Sequence, residues 1–232
     1  METNKVKIAR VELEGKASPL DPDHLLFAPG ELGAILEWTV TDKDGKVREH
    51  KVVKSKSYVR QFFDLLMVQM NSVGELAPAT IRDTSNIERD ICVSAFNFAC
   101  NAVANIDSYG IQVGTGNAIP MITDYKLQTR IAHGSGAGQL QYGGVAFGLP
   151  ASDAVQSHFT VTRDFSNLSG APIIVYEIGL VVKGDIPEPW QVSKTYSAVQ
   201  YNFLTIRDVI AAGISVLSGE TLTVNYRQVA NV

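Results

Sequence analysis

The last third of the chain alternates apolar and polar residues with a period of two, and this pattern constrains the fold more than any other feature. It is clear in the segments 159–165 (FTVTRDF) and 221–227 (TLTVNYR), and the segment 173–182 between them (IIVYEIGLVV) is apolar almost throughout. Because successive side chains of a strand point to opposite faces, the pattern predicts consecutive antiparallel strands with one face on a core. The residues that share one face of the two alternating segments are Phe159, Val161, Arg163, Phe165, Leu222, Val224 and Tyr226.

An N-terminal hairpin is predicted by similar alternation and by a turn dipeptide. Apolar and polar residues alternate over 36–41 (LEWTVT), Asp44-Gly45 follows, and a second strand-like run spans 47–53. Asp-Gly is typical of short hairpins because glycine adopts a positive φ without steric cost. A further strand is predicted earlier, over 6–13.

One helix is predicted over Tyr58–Met70, with Ser57 as its N-cap. Its apolar residues recur at the three- and four-residue spacing of one helix face. We expect this stripe to pack on a sheet; a partner-binding surface at Met67 and Met70 is the alternative, because methionine side chains adapt to many surfaces. The stripe consists of Val59, Phe62, Phe63, Leu66, Met67 and Met70.

The middle of the chain is predicted to be a polar segment, 75–90, followed by short strands that glycines separate. Turn signals spaced about 8–12 residues apart favour a sandwich or barrel over alternating strands and helices. The predicted strands are 91–98, 102–113, 125–131 and 139–147, with a further short strand over 204–208 and a turn at 218–220.

Together these elements predict a mainly β fold, with an antiparallel β-sandwich or jelly-roll-like core and one amphipathic helix near the N-terminus. Residues 1–75 would form the hairpin and the helix, and residues 76–232 would form the sandwich. One continuous domain is the alternative, because the 75–90 segment is either a linker or a packed loop.

The composition argues against several classes of protein. The 232 residues carry a net charge of −4, so no overall basic field attracts a polyanion, and nucleic acid is not an expected partner. No apolar run approaches the roughly 18 residues that span a membrane, and the first ten residues (METNKVKIAR) lack the apolar stretch of a signal peptide. We therefore expect a chain that is made in a cytoplasm and has no membrane partner.

The sequence contains no clear motif for catalysis, a cofactor or a metal. The glycine-rich segment 133–138 (HGSGAG) precedes a strand-like run instead of a helix, so it is predicted to join two strands and not to bind phosphate. The histidines share no ligand spacing, and Cys92 and Cys100 lie in an apolar run without a metal or redox motif. We therefore expect no enzyme activity, no cofactor, no metal and two buried thiols.

Glu177 is a charge inside the apolar segment VYEIGL, where it needs either a partner or a solvated face. Arg163 and Arg207 lie in neighbouring predicted strands. We predict that Glu177 forms a structural ion pair with one of these arginines. A solvated face is the first alternative, and a catalytic role is the second.

Aromatic residues mark the predicted interface. Trp190, Tyr196 and Tyr201 flank or lie in a proline-containing segment, and such residues are common in protein interfaces and under bound sugars. The glycine-rich loop is the second predicted contact segment, and His133 and Gln139 lie at its ends. The partner of these residues is either a protein or a glycan.

Three motifs of the chain resemble those of tailed-bacteriophage virion structural proteins. They are Gly110–Gly116 (GIQVGTG), Glu177–Leu180 (EIGL) and Gly219–Tyr226 (GETLTVNY), in this order. In those proteins such motifs form a turn and strands, so the resemblance carries over framework residues and no catalytic position. It spans roughly residues 35–230 and implies a virion protein, without specifying the capsid or the tail.

The leading expectation is therefore a non-enzymatic virion structural protein that acts by protein–protein assembly in the capsid or tail. Such a protein would be made in the host cytoplasm, form a homo-oligomer and contact other virion proteins. A carbohydrate-binding module for host recognition is the alternative, and a hydrolase is the third hypothesis. Trp190→Ala separates the first two, because loss of glycan retention favours the module and loss of assembly alone favours the structural protein.

Overall fold

The structure of the protein is a computed structural model that describes residues 32–55, 58–71, 79–94, 97–154, 156–186 and 199–231. Several sequence predictions fall outside these residues: the strand over 6–13, the N-cap Ser57, and the interface residues Trp190 and Tyr196. The described part is mainly β, with antiparallel sheets and one helix.

The elements follow one another along the chain as β1 (Leu32–Thr41), β2 (Val47–Ser55), α1 (Arg60–Met70), β3 (Ala79–Arg82), β4 (Glu88–Ile91), β5 (Gly110–Gly114), β6 (Gln141–Tyr142), β7 (Ala146–Phe147), β8 (Ala151–Ser152), β9 (Gln156–Ser166), β10 (Ile173–Ile186), β11 (Val199–Val216) and β12 (Thr221–Asn231).

The described strands pair in three antiparallel sheets. In the largest sheet β2, β1, β12 and β9 lie side by side, and the far edge of β9 pairs in turn with β6, β7 and β8. The second sheet has the order β11-β10-β5, and β3 and β4 form a separate hairpin. Strand β1 pairs with β12 along its whole length, so the N-terminal hairpin and the last strand belong to the same sheet.

The two larger sheets contribute to one buried core. The alternation predicted for β12 is confirmed, and that of β9 is confirmed for Val161, Arg163 and Phe165, which are buried more deeply than their neighbours. The prediction is wrong for Phe159, which is 38% exposed. Burying each large apolar side chain of this kind stabilises the fold by about 1.5–3 kcal/mol. Core residues of the large sheet include Trp38, Val161, Phe165, Leu222 and Val224, and those of the second sheet include Val175, Ile178, Phe203, Ile206 and Ile214.

The turn between β1 and β2 forms where the Asp-Gly dipeptide predicts it. Asp42 accepts hydrogen bonds at Oδ1 from the backbone N–H groups of Asp44 and Lys46, and both bonds are 2.9 Å long. Gly45 has a φ of +79°, in the left-handed region that glycine adopts at the least cost. The hairpin prediction is therefore confirmed.

Helix α1 begins at Arg60, and Val59 occupies its N-cap position in place of the predicted Ser57. The helix packs against β11 and β3. Its buried residues are Gln61, Leu65 and Val68, and the backbone N–H of Val59 bonds the Thr205 carbonyl of β11.

The prediction that the apolar stripe of α1 packs in the core is wrong for its three outermost members. Phe63, Met67 and Met70 are 53%, 46% and 78% exposed. A polar anchor holds the helix in this rotation, because the Gln69 amide bonds the backbone of Ser94 and the side chain of Asn97. The helix therefore presents three large apolar side chains to solvent.

The predicted strand over 125–131 is also wrong, since the structure has turns and bends there and a single isolated bridge at Arg130. The backbone N–H groups of Gln128 and Thr129 bond the carboxylate of Glu177 and not a neighbouring strand. A buried side chain has replaced the strand ladder as their acceptor.

Other boundaries differ from the predictions. No described residue of 92–98 lies in a strand, and the segment predicted as irregular, 75–90, contains β3 and the start of β4. Strand β11 extends far beyond the predicted 204–208, because it pairs with β10 over nearly the whole length of both strands. Gly213 within β11 has a φ of +68°.

Candidate protein interface

A buried carboxylate organises the loop that follows β5. Glu177 of β10 is fully buried, and its Oε1 accepts hydrogen bonds from the backbone N–H groups of Gly116 (3.1 Å) and Thr129 (2.7 Å). Its Oε2 accepts from the backbone N–H of Gln128 and from Nε of Arg207, both at 2.9 Å. Four donors thus compensate a charge that burial alone would make very costly.

The same ion pair continues outward to the surface of the molecule. The Arg207 guanidinium donates from its second nitrogen to Oδ2 of Asp124 at 2.8 Å, and that oxygen also accepts from the backbone N–H of Met121 at 2.9 Å. Glu177, Arg207 and Asp124 therefore hold both ends and the middle of one segment, residues 115–130, which we call the 115–130 loop.

Two glycines allow the loop to approach the carboxylate. A Cβ atom on Gly114 would lie 2.6 Å from Glu177 Oε1, and one on Gly116 would lie 2.5 Å from the same oxygen. Both distances are shorter than nonbonded contacts permit, so larger residues would displace the loop or the carboxylate. The glycines of the GIQVGTG motif and the glutamate of the EIGL motif are thus direct neighbours.

The third motif lies on β12 of the large sheet and contacts the second motif on β10. The hydroxyl of Tyr226 lies in the core, donates to the Ile178 carbonyl at 3.2 Å and lies 3.0 Å from Oδ2 of Asp208. Burial among these groups raises the pKa of Tyr226 well above its ordinary value, so the phenol stays a neutral donor. All three motifs of the resemblance therefore lie in one connected set of contacts.

Arg163 is the other arginine that was predicted as a partner for Glu177, but it bonds different groups. It is fully buried on β9, and its guanidinium donates to backbone carbonyls of β5, of the loop before β5 and of the β6–β7 connection. Burial lowers the pKa of Arg163, yet an arginine remains charged at any ordinary pH. The acceptors are the carbonyl oxygens of Ile106, Tyr109, Ile111 and Gly143.

The tip of the 115–130 loop is apolar and exposed. Ile119, Met121 and Ile122 are 85%, 62% and 60% exposed, although the chain around them is held by the Asp124 contacts. The loop also touches α1, because the backbone N–H of Arg60 donates to the Ile122 carbonyl at 2.9 Å. This hydrogen bond thus joins the loop to the first turn of the helix.

We call these exposed apolar side chains the helix–loop surface. Scattered apolar residues are normal on a protein surface, but several large ones on adjoining segments are typical of an interaction site. Three of the six are methionines, whose flexible side chains suit an interface. The helix–loop surface consists of Phe63, Met67, Met70, Ile119, Met121 and Ile122.

The described residues of the sequence-predicted interface do not lie in this surface. His133 and Gln139 serve to close the glycine-rich loop: His133 Nδ1 accepts from the backbone N–H of Tyr142, and the Gln139 amide oxygen accepts from that of Gly136. The ring of Tyr201 is covered by the Arg89 guanidinium, 3.7 Å from its centre.

Sequence reasoning missed the loop half of the helix–loop surface. A usable signal was present, because the run 117–122 (NAIPMI) places large apolar residues in a segment bounded by glycine, asparagine and proline, which are turn-forming residues. Apolar residues in such a loop have no strand or helix to bury them.

Two kinds of site are not found in the part of the chain that the structure describes. No three histidine, cysteine, aspartate or glutamate side chains converge there as a metal ion would require. No described helix has the length and apolar character needed to cross a membrane.

Comparison with known proteins identifies no relative of the chain. No protein-family model, no curated protein and no solved structure matches the chain.

Proposed function

We propose that the protein is a non-enzymatic virion structural protein of a tailed bacteriophage, which acts by protein–protein assembly. The observation that carries this proposal is the helix–loop surface, where six large apolar side chains are exposed on two adjoining segments. Burying such a surface against a partner is favourable in proportion to the apolar area removed from water. The motifs that resemble virion proteins support the same class of function.

We infer further that the two larger sheets are the layers of a β-sandwich or jelly-roll-like core. Support comes from the shared core, to which inward residues of β1, β9 and β12 and of β5, β10 and β11 all belong. Such a rigid core would hold the helix–loop surface in a fixed orientation, because α1 packs on β11 and the 115–130 loop is bonded to β10.

The proposed partner of the helix–loop surface is a second copy of this chain. Homo-oligomers with closed symmetry are the commonest assemblies, and repeated copies are what a virion lattice requires. The protein would be made in the host cytoplasm and enter the particle by further contacts with other virion proteins.

A charge placed in the helix–loop surface tests the proposal. Met67→Glu should reduce the assembled fraction in sedimentation velocity, because a desolvated carboxylate without a partner is costly in an apolar interface. Leu168→Glu is the matched control, since Leu168 is similarly exposed, at 52%, but lies on the β9–β10 connection. The far-ultraviolet circular dichroism of both variants should match that of the parent.

The expected result is a smaller species for Met67→Glu and an unchanged one for Leu168→Glu. If both variants assemble to the same extent, the helix–loop surface is not part of the interface. If the parent chain is monomeric at every concentration, the protein does not self-assemble.

A further inference from the structure

A cavity of about 140 Å³ lies where the two larger sheets meet the start of α1. Strands β9 and β12 line it from the large sheet, β10 and β11 line it from the second sheet, and β7 lies at its rim. Phe147 and Phe159, which are 47% and 38% exposed, are the lining residues most open to solvent. The cavity is therefore accessible from the surface while most of its wall belongs to the core.

The wall of this cavity is apolar. Aromatic rings from Phe62 and Phe98 face it from the helix side, and aliphatic side chains of Leu180 and Val182 face it from β10. Cys100 completes this wall, and burial raises the pKa of its thiol to about 12, so the sulfur is uncharged. None of the described residues that line the cavity carries a charge.

The side-chain polar groups around the cavity offer it no free donor. The hydroxyl of Thr205 donates to the Leu180 carbonyl at 2.9 Å, and the hydroxyl of Tyr58 donates to Oε1 of Gln228 at 2.6 Å. The other end of the Gln228 amide, Nε2, is buried and makes no hydrogen bond in the described structure. Because solvent cannot reach this atom, it offers no donor to a molecule in the cavity.

We propose that this cavity binds a small, uncharged aromatic molecule. An apolar cavity of about 150 Å³ is large enough to take up benzene, so a single six-membered ring fits the available volume. The ring would pack among the phenylalanine side chains. This site is separate from the helix–loop surface and does not depend on assembly.

The test uses three probes of similar size with the full-length chain: toluene, benzonitrile and benzoate. Calorimetric titration should give saturable binding of toluene and benzonitrile and none of benzoate, because the wall offers no partner for a carboxylate. In two-dimensional amide spectra, the signals of Cys100 and Val182 should shift on binding, while that of Ile119 should not.

Two variants locate the ligand within the cavity. Cys100→Phe places a ring in the cavity and should abolish binding of both neutral probes, whereas Cys92→Ala, at the other buried cysteine, should leave binding unchanged.

Several outcomes would overturn the proposal. The first is that the parent chain binds neither toluene nor benzonitrile up to the solubility limit of each probe. The second is that the amide signals that shift belong to residues outside the cavity. The third is that a folded Cys100→Phe variant still binds toluene. Should that variant fail to fold, the amide shifts of the parent chain decide the matter.

Discussion

At the scale of single residues, Glu177 shows what a sequence can and cannot specify. A glutamate inside an apolar strand predicts a buried partner, and Arg207 is that partner, with a separation of 2.9 Å. The three backbone donors from the 115–130 loop could not be predicted, because nothing in a single sequence indicates which distant loop folds over a given strand. The glycines at 114 and 116 acquire their role only once that contact is known.

Glu177→Gln should destabilise the protein by about 3 kcal/mol, because it leaves the buried Arg207 charge without its main counterion. The matched control is Glu88→Gln, which removes an exposed ion pair with Arg82 and should cost less than about 1 kcal/mol. Urea unfolding of the three proteins measures both effects. Unchanged stability of Glu177→Gln would rule out a structural role for the pair.

Gly116→Ala should destabilise the protein by about 1–3 kcal/mol, because its Cβ would overlap the Glu177 carboxylate and the Gln128 side chain. Gly148→Ala is the control, since a Cβ there meets its nearest neighbours at an ordinary 3.7 Å and should change stability by no more than about 0.5 kcal/mol. Thermal unfolding compares the two variants, and equal stability would mean that the close approach at Gly116 carries no constraint.

At the scale of elements, strands with one solvent-facing and one core-facing side were predictable in position and in facing, whereas β10 and α1 were predictable in position only. β9 and β12 alternate because only one face of each is packed in the core. β10 is apolar on both faces, which signals burial but gives no register. Helix α1 was located from its spacing, yet its rotation depends on Gln69 anchors that lie on neighbouring loops.

The rotation of α1 makes opposite predictions for two of its residues. Leu65→Ala should cost about 2–5 kcal/mol, because Leu65 is fully buried. Met70→Ala should cost no more than about 0.5 kcal/mol, because most of that side chain is in solvent. Guanidinium unfolding of both variants measures these losses of stability. A larger loss of stability for Met70→Ala than for Leu65→Ala would mean that the helix buries the face that the sequence pattern predicts.

At the scale of the whole molecule, the sheet edges influence how copies can meet. Strand β2 is the edge of the large sheet in the described structure, and its many charged side chains discourage pairing with another strand. The helix–loop surface has no comparable protection, so side-chain packing there is the more favourable route to assembly. The charged or ionisable residues of β2 are Arg48, Glu49, His50, Lys51 and Lys54.

The pairing of β1 with β12 joins the two ends of the described chain, from Leu32 opposite Ala230 to Thr41 opposite Thr221. Such long-range pairing cannot be deduced from periodicity, which fixes the face of a strand but not its neighbour. The position of the helix–loop surface follows from the packing of α1 on β11 and from the bonds between the 115–130 loop and Glu177 of β10. Neither contact could be predicted from the sequence.

The most direct test of assembly is the native mass of the purified chain across a concentration series, by sedimentation equilibrium or native mass spectrometry. We expect a single closed oligomer whose mass stays constant at the higher concentrations, because a closed symmetric ring saturates its own interfaces. A mass of one chain at every concentration would contradict this expectation.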